Sequence, residues 1–242
     1  MKIGVKTYDD RFFLHHFKGK VDFFEVMAIE DTDYSYLKEF SMPIVIHVEH
    51  RTFGVNFADK TKEKQNISAI NFARKIAEMI KAEKIIIHPG HLENSNCSEK
   101  NALNSLKKMN DERILTENMP RYFNNSISLC HTPEEMKKIL KKAKCKFCLD
   151  INHAVVSAIE LKKDYIKFLK EFIKLKPSHY HLGGQKLSGK KESHIALEES
   201  EMDLKEILKL LPKNAYITLE TEPDIEKTEQ DIKIIRAIIK QI

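Results

Sequence analysis

The chain has 242 residues, 42% of them hydrophobic and 32% charged, with a net charge of +5 at neutral pH. This composition is ordinary for a soluble globular protein with a highly charged surface, and no run of about 18 apolar residues occurs, which excludes a membrane-spanning helix. The mild positive charge permits a nucleic-acid partner without demanding one, because dedicated binders concentrate their basic residues.

The N-terminal MKIGVKTYDD lacks the apolar stretch of a signal peptide, so a cytoplasmic location is expected. Four cysteines without a secretory signal point to reduced thiols. Cys145 and Cys148 form a lone CxxC, too little for structural zinc, and Cys148 is expected to pack a strand.

Along the chain, short apolar runs alternate with amphipathic stretches. KIGVKT (2–7), VDFFEVMA (21–28) and PIVIHVE (43–49) come first, with only short helices expected between them. A helix is predicted over 65–82, where Ile70, Ala73, Ile76, Ala77 and Ile80 form one apolar stripe. KIIIHPG (84–90), a helix over 97–110 and RILTENM (113–119) follow. Thr132 then offers an N-cap, Pro133 a first helical residue and the next glutamates a capping box, for a helix over 133–143. Its lysines 137, 138, 141, 142 and 144 read as a solvated face. KFCLDINH (146–153), a helix over 164–175, SHYHLGG (178–184), a helix over 203–211, YITLET (216–221) and a helix over 225–242 complete the pattern.

Eight continuous apolar runs are what strands buried on both faces look like, and their alternation with helices predicts parallel βαβ units. An open doubly wound sheet competes, but Gly4 stands alone where that fold carries its glycine-rich turn. The expectation is an α/β protein, a single (β/α)8 TIM barrel domain spanning 1–242.

The run ends carry unusual chemistry. Run three ends in His47, run four in His88, run five in Glu117, run six in Asp150 and His153, run seven in His181 and run eight in Glu220. A loop after run seven adds Glu192 and His194. Each alone has a bland reading as a structural histidine, a helix N-cap or a loop ion pair. Together they converge on one mouth of the barrel, where so many titratable groups need a neutralising partner, and divalent cations supply it directly. Imidazole with carboxylate suits Zn²⁺, with Mn²⁺ or Fe²⁺ as alternatives. Nine candidate ligands exceed the needs of one ion and suffice for two or three, an arrangement suited to phosphate-ester chemistry.

With these residues in view, the chain resembles the xylose-isomerase-like barrel superfamily, and within it the endonuclease IV branch of apurinic/apyrimidinic endonucleases. The resemblance covers roughly residues 43–221 and rests on His47, His88-Pro89-Gly90, Glu117-Asn118, Asp150-Ile151-Asn152-His153, His181-Leu182 and Leu219-Glu220-Thr221. It implies one metal at His47, His88 and Glu117, and a second at Glu117, Asp150, His181 and Glu220. It implies a third between His153, His194 and the acidic residue two before His194. That residue is Glu192 where the family has aspartate, so the third metal is expected to be held less securely. The family's GEG is replaced by Glu198-Glu199-Ser200, the loop after run two is very short, and His50-Arg51 stands where the family inserts an apolar pair into DNA.

The implied activity is hydrolysis of damaged duplex DNA on the 5′ side of abasic sites in base excision repair, with Glu117, Asp150 and Glu220 as catalytic residues. Lys186, Lys190 and Lys191 are candidate phosphate contacts, or plain surface lysines. A related reading is a sugar or sugar-phosphate isomerase or epimerase using Glu117, Asp150, His181 and Glu220 around one metal, with a small sugar as substrate. A barrel that binds metal or ligand without turnover is the third reading. A monomer is expected.

Overall fold

In a computed structural model, which describes residues 1–188, 193–222 and 224–242, the expected alternation closes on itself. The chain runs β1 (Lys2–Thr7), α1 (Arg11–Phe17), β2 (Phe23–Ala28), β3 (Ile44–Val48), α2 (Glu63–Ile80) and β4 (Ile85–Ile87). It continues through β5 (His91–Leu92), α3 (Glu99–Met109), β6 (Ile114–Glu117), β7 (Tyr122–Phe123), β8 (Ser126–Ser128) and α4 (Pro133–Ala143). Then come β9 (Lys146–Asp150), α5 (Ile151–Glu160), α6 (Tyr165–Ile173), β10 (His179–Leu182), α7 (Leu204–Leu210), β11 (Tyr216–Leu219) and α8 (Ile225–Ile239). β1, β2, β3, β4, β6, β9, β10 and β11 form a closed barrel, each neighbour parallel to the next. All eight apolar runs supply a barrel strand, and the amphipathic stretches form the outer shell. No helix among the described residues is long and apolar enough to cross a membrane.

The structure corrects the sequence reading in three places. Between β2 and β3 there is a short 3-10 turn, Ser35–Glu39, where a helix was expected. The run KFCLDINH stops being a strand at Asp150, because that side chain caps a helix beginning at Ile151. The third difference is a small antiparallel sheet, β5–β8–β7, that no periodicity announced. Its strands are two or three residues long and grow from the loops after β4 and β6. The turn into β5 requires Gly90, whose φ of +114° places it where a Cβ would meet Asn56 and the Ala58 backbone.

The α4 start reads as expected. Thr132 Oγ1 accepts the Glu135 N–H at 3.2 Å and Pro133 sits in the first turn. The Glu135 carboxylate, however, reaches back to the His131 N–H at 3.3 Å rather than to the cap residue. The α4 lysines are exposed, as a solvated face requires.

The barrel axis is filled rather than hollow. Phe23, Val45, Ile86, Leu115 and Cys148 meet in its interior, with Tyr216 packed beneath them. Gly4 allows this, because a Cβ there would lie 2.3 Å from the Phe23 ring. Cys148 therefore packs a strand as expected, and burial pushes its thiol up to about 12.

On α8, buried Asp231 accepts the Leu197 N–H at 2.7 Å and so latches the loop that carries His194. Burial raises its carboxyl to about 6. An acid raised by folding favours the fold fully below its ordinary value near 4, and loses that contribution as pH rises through about 6. Asp231→Asn should therefore gain on the wild type between about pH 5 and pH 8. At about 1.4 kcal/mol per unit the whole shift would be worth about 3 kcal/mol. Solvent at the exposed Glu198 and Glu199 beside it screens the group and reduces the expected gain to about 1 kcal/mol. Urea unfolding of metal-free protein at the two pH values checks this, and an unchanged difference would refute it.

Candidate metal centre

Parallel register delivers the candidate side chains to one end of the barrel. Glu117 and Asp150 are the last residues of β6 and β9, His181 pairs in register with Asp150, and Glu220 follows β11 directly. His47 lies on β3, His88 just past β4, and His153 in the first turn of α5.

Glu117 is the hub. Its Oε2 lies 3.3 Å from His47 Nε2, 3.5 Å from His88 Nε2 and 3.4 Å from His181 Nδ1, while Oε1 lies 3.1 Å from His153 Nδ1. Asp150 Oδ1 accepts the His153 N–H at 2.6 Å as the α5 N-cap. Its Oδ2 points instead toward His181 Nδ1, 3.8 Å away. One oxygen of Asp150 thus realises the bland reading, and the other is left for the ligand reading.

Three imidazoles are held at Nδ1 by backbone carbonyls. His47 Nδ1 lies 2.8 Å from the Val48 carbonyl, His153 Nδ1 2.8 Å from the Asn118 carbonyl and His194 Nδ1 2.8 Å from the Glu220 carbonyl. Carbonyls only accept, so each of these nitrogens carries the proton and leaves the Nε2 lone pair free, the His153 Nδ1–H being shared with Glu117 Oε1. His181 is turned the other way, with Nε2 3.0 Å from Glu25 Oε2 and Nδ1 facing inward.

Three buried atoms that face one another here have no hydrogen-bond partner among the described residues: Asp150 Oδ2, His181 Nδ1 and Glu220 Oε2. His181 Nδ1 and Glu220 Oε2 are 2.8 Å apart but are not aligned as a hydrogen bond. Unpartnered buried polar atoms are costly, and these three converge. Among the described residues five groups have ligand atoms within 4.8 Å of one another, and three of them are built from the strand-end candidates: His47–His88–Glu117, Asp150–His181–Glu220 and Asp150–His153–His194. The donor chemistry and the three orphaned atoms fit divalent cations. Glu192, expected to complete the third group, lies outside the described residues, as do Lys190 and Lys191. The Lys186 ammonium donates to the Glu199 carbonyl at 2.7 Å.

The charges are strongly correlated. Burial works against ionisation of Glu117, but the imidazoles of His88 and His181 hold it well below the usual carboxylate range. Burial likewise opposes charge on His181, and Cys148 with the Glu25, Glu220 and Glu117 carboxylates outweighs it, raising that imidazole. Burial, helped by the Glu117 carboxylate, raises Asp150 against the pull of His153.

Sequence reasoning missed four residues of this cluster. Lys6 on β1 lies 2.6 Å from Glu220 Oε1, and Glu25 on β2 lies beneath His181 beside His179. A lone glutamate inside the apolar run FFEVMA was the available signal for Glu25. His50 stacks on His88 with ring centroids 5.0 Å apart, and burial drives it down to about 2.

Above the cluster is a cavity of 220 Å³ whose lining includes Tyr8, His50, His88, His153, His194 and Glu220. Hollows of 560 to 580 Å³ elsewhere touch none of the candidate ligands. The small β5–β8–β7 sheet stands beside the cavity and is pinned by Arg51. That guanidinium is 2.6 Å from Glu93 Oε1, donates to the Phe123 carbonyl at 2.7 Å, and lies over the Phe123 ring.

A family model described as the xylose isomerase-like TIM barrel matches residues 31–238. The chain belongs to that family. Solved structures share the barrel over its whole length. A D-tagatose 3-epimerase-like protein superposes with a TM-score of 0.80 at 21% identity, covering 100% of this chain and 98% of the other. Endonuclease IV from Thermus thermophilus gives 0.74 at 15% identity, covering 100% of both chains. The TTHB071 protein of the same organism, soaked with ZnCl2, gives 0.72 at 17%, covering 100% and 99%. No curated protein matches in sequence. At these identities the neighbours establish the barrel of this family member, and they divide between nuclease and epimerase.

His88 tests whether the cluster binds metal as a set. His88→Ala should remove one ion per chain and leave the fold intact, because the side chain is at a strand end and not in the helical shell. Elemental analysis alongside circular dichroism measures both. A variant that loses stability with full metal content would make His88 structural.

Proposed function

We propose that the protein is a metal-dependent phosphodiesterase of the endonuclease IV type, holding two or three divalent ions, with zinc the first choice, and cutting DNA on the 5′ side of abasic sites. The observation that carries this reading is the adjacency of three ligand groups, two of them sharing Asp150 and the third joined to them where Glu117 meets His153 and His181. Moving a proton on a sugar needs one cation, and His47, His88, His153 and His194 would then be surplus.

Bound ions would supply Lewis acidity toward a phosphoryl oxygen and a nucleophile at neutral pH. The chain's own residues do the rest. Glu117 offers Oε2 to His47, His88 and His181 together, which suits a shared ligand, while its Oε1 accepts from His153 Nδ1. Asp150 and Glu220 direct their orphaned oxygens at the same point as His181. Hydrolysis adds water across the phosphodiester and leaves a 3′-hydroxyl and a 5′-deoxyribose phosphate.

A specific observation favours a second reading, a sugar or sugar-phosphate epimerase. The cavity is only 220 Å³ and has a small sheet at its rim, which suits a compact substrate. In that case Glu117 and Glu220 would exchange the proton. Under the nuclease reading the same feature, with Arg51 engaged in the sheet, implies weak and strongly salt-dependent DNA binding carried by phosphate contacts.

A labelled abasic duplex, assayed beside a panel of ketoses and sugar phosphates with a chelator control, decides between them. Nicking that the chelator stops supports the nuclease. Isomerisation without nicking would transfer the assignment to the epimerase, and silence in both would leave a non-catalytic barrel.

A further inference from the structure

β2 is buried at all six positions, and its third residue is a glutamate. Glu25 has no exposed surface, and it lies within the barrel below the metal cluster, outside the cavity lining. A buried carboxylate persists only when paired, and its partners here are specific. Oε2 accepts the Thr218 hydroxyl at 2.8 Å and lies 3.0 Å from His181 Nε2 and 3.3 Å from His179 Nε2. On the other side, Lys6 Nζ is 3.5 Å from Glu25 Oε1 and 2.6 Å from Glu220 Oε1.

Two constraints on the metal centre follow. An ionised carboxylate can only accept, so His181 donates from Nε2 and turns Nδ1 toward Glu117, Asp150 and Glu220. Lys6, held between two carboxylates, occupies Oε1 of Glu220 and leaves Oε2 as the oxygen that faces His181 Nδ1. We infer that Glu25 is a positioning residue of the metal centre, fixing the ring of His181 and, through Lys6, the ligating oxygen of Glu220. The inference rests on the metal-centre reading given above.

The atoms of Glu25, His179 and His181 are themselves close enough to hold a cation. The Lys6 ammonium and the Thr218 hydroxyl already occupy the surroundings of that carboxylate, which disfavours a further cation there. His179 separates the two ideas, since it would be a ligand in the one and a neighbour in the other.

The test is zinc titration of the full chain against a chromophoric chelator, with cobalt substitution to read the coordination spectrum. Glu25→Gln keeps the size of the side chain and an acceptor but removes the charge. It should bind the ion at Asp150, His181 and Glu220 about 10- to 100-fold more weakly, change the cobalt bands of that ion, and keep the ion at His47 and His88. His179→Gln should keep the wild-type number of ions. If Glu25→Gln fails to fold, Thr218→Val, which removes one donor to the same oxygen, should show a several-fold loss in the same assay. Wild-type affinity in the variant that folds, or loss of an ion in His179→Gln, would overturn the inference. A wild-type chain that takes up no ion would overturn the metal-centre reading and this inference together.

Discussion

Glu117→Gln is expected to cost roughly 10³-fold in turnover on whichever substrate the wild type uses, the upper part of the range for removing one preorganised electrostatic contact. The reason is geometric. One carboxylate faces His47, His88 and His181 with one oxygen and His153 with the other, so under the proposed function the amide would replace a ligand shared between ions. Glutamine is nearly isosteric, and the strand position is unchanged, so the fold should survive. Metal analysis beside single-turnover kinetics separates the effects, with at least one ion lost together with the rate. Full metal content with full activity would remove Glu117 from the centre altogether.

The second large effect is on stability. Stripping the metal should lower unfolding free energy by about 4 kcal/mol when the free ion had been held near a thousand times its dissociation constant. For a chain of this size that is a fall in melting temperature of roughly 8 to 16 °C. The source is the set of atoms beneath the cavity, Asp150 Oδ2, His181 Nδ1 and Glu220 Oε2, whose desolvation no hydrogen bond among the described residues offsets. Calorimetry before and after chelation, with re-addition of zinc as the control, measures it. An unchanged melting curve after complete metal loss would mean that these groups compensate one another without an ion.

The barrel was legible because its strands are buried on both faces, and a run such as KIIIH has no polar alternation to mistake for an exposed sheet. His47, His88, Glu117, Asp150, His181 and Glu220 were legible because each is a polar residue at the end of such a run. What escaped had physical reasons. Lys6 and Glu25 lie on the first two strands, where no recognisable ligand motif drew attention, and Glu25 is flanked by apolar residues that read as continuous core. The helix at Ile151 was hidden because Asp150, Asn152 and His153 look like the polar end of a strand, and a capping oxygen decides the matter. The small sheet was hidden because pairings of two or three residues leave no period. Glu117, Asp150, His181 and Glu220 would serve a nuclease and an epimerase alike, so the proposal leans on His47, His88, His153 and His194, and the small cavity beside the sheet that Arg51 pins weighs on the other side.

The double duty of Asp150 has an evolutionary consequence. A lineage that abandoned the chemistry would be under no pressure to keep an imidazole at 47 or 88, yet it would still need a side-chain acceptor to begin α5. Asparagine, serine or threonine could serve there as well as aspartate, so an acceptor at this position is poor evidence that a descendant still turns over substrate. Divergence at His47 and His88, which cap no helix, is where decay of function would be written first.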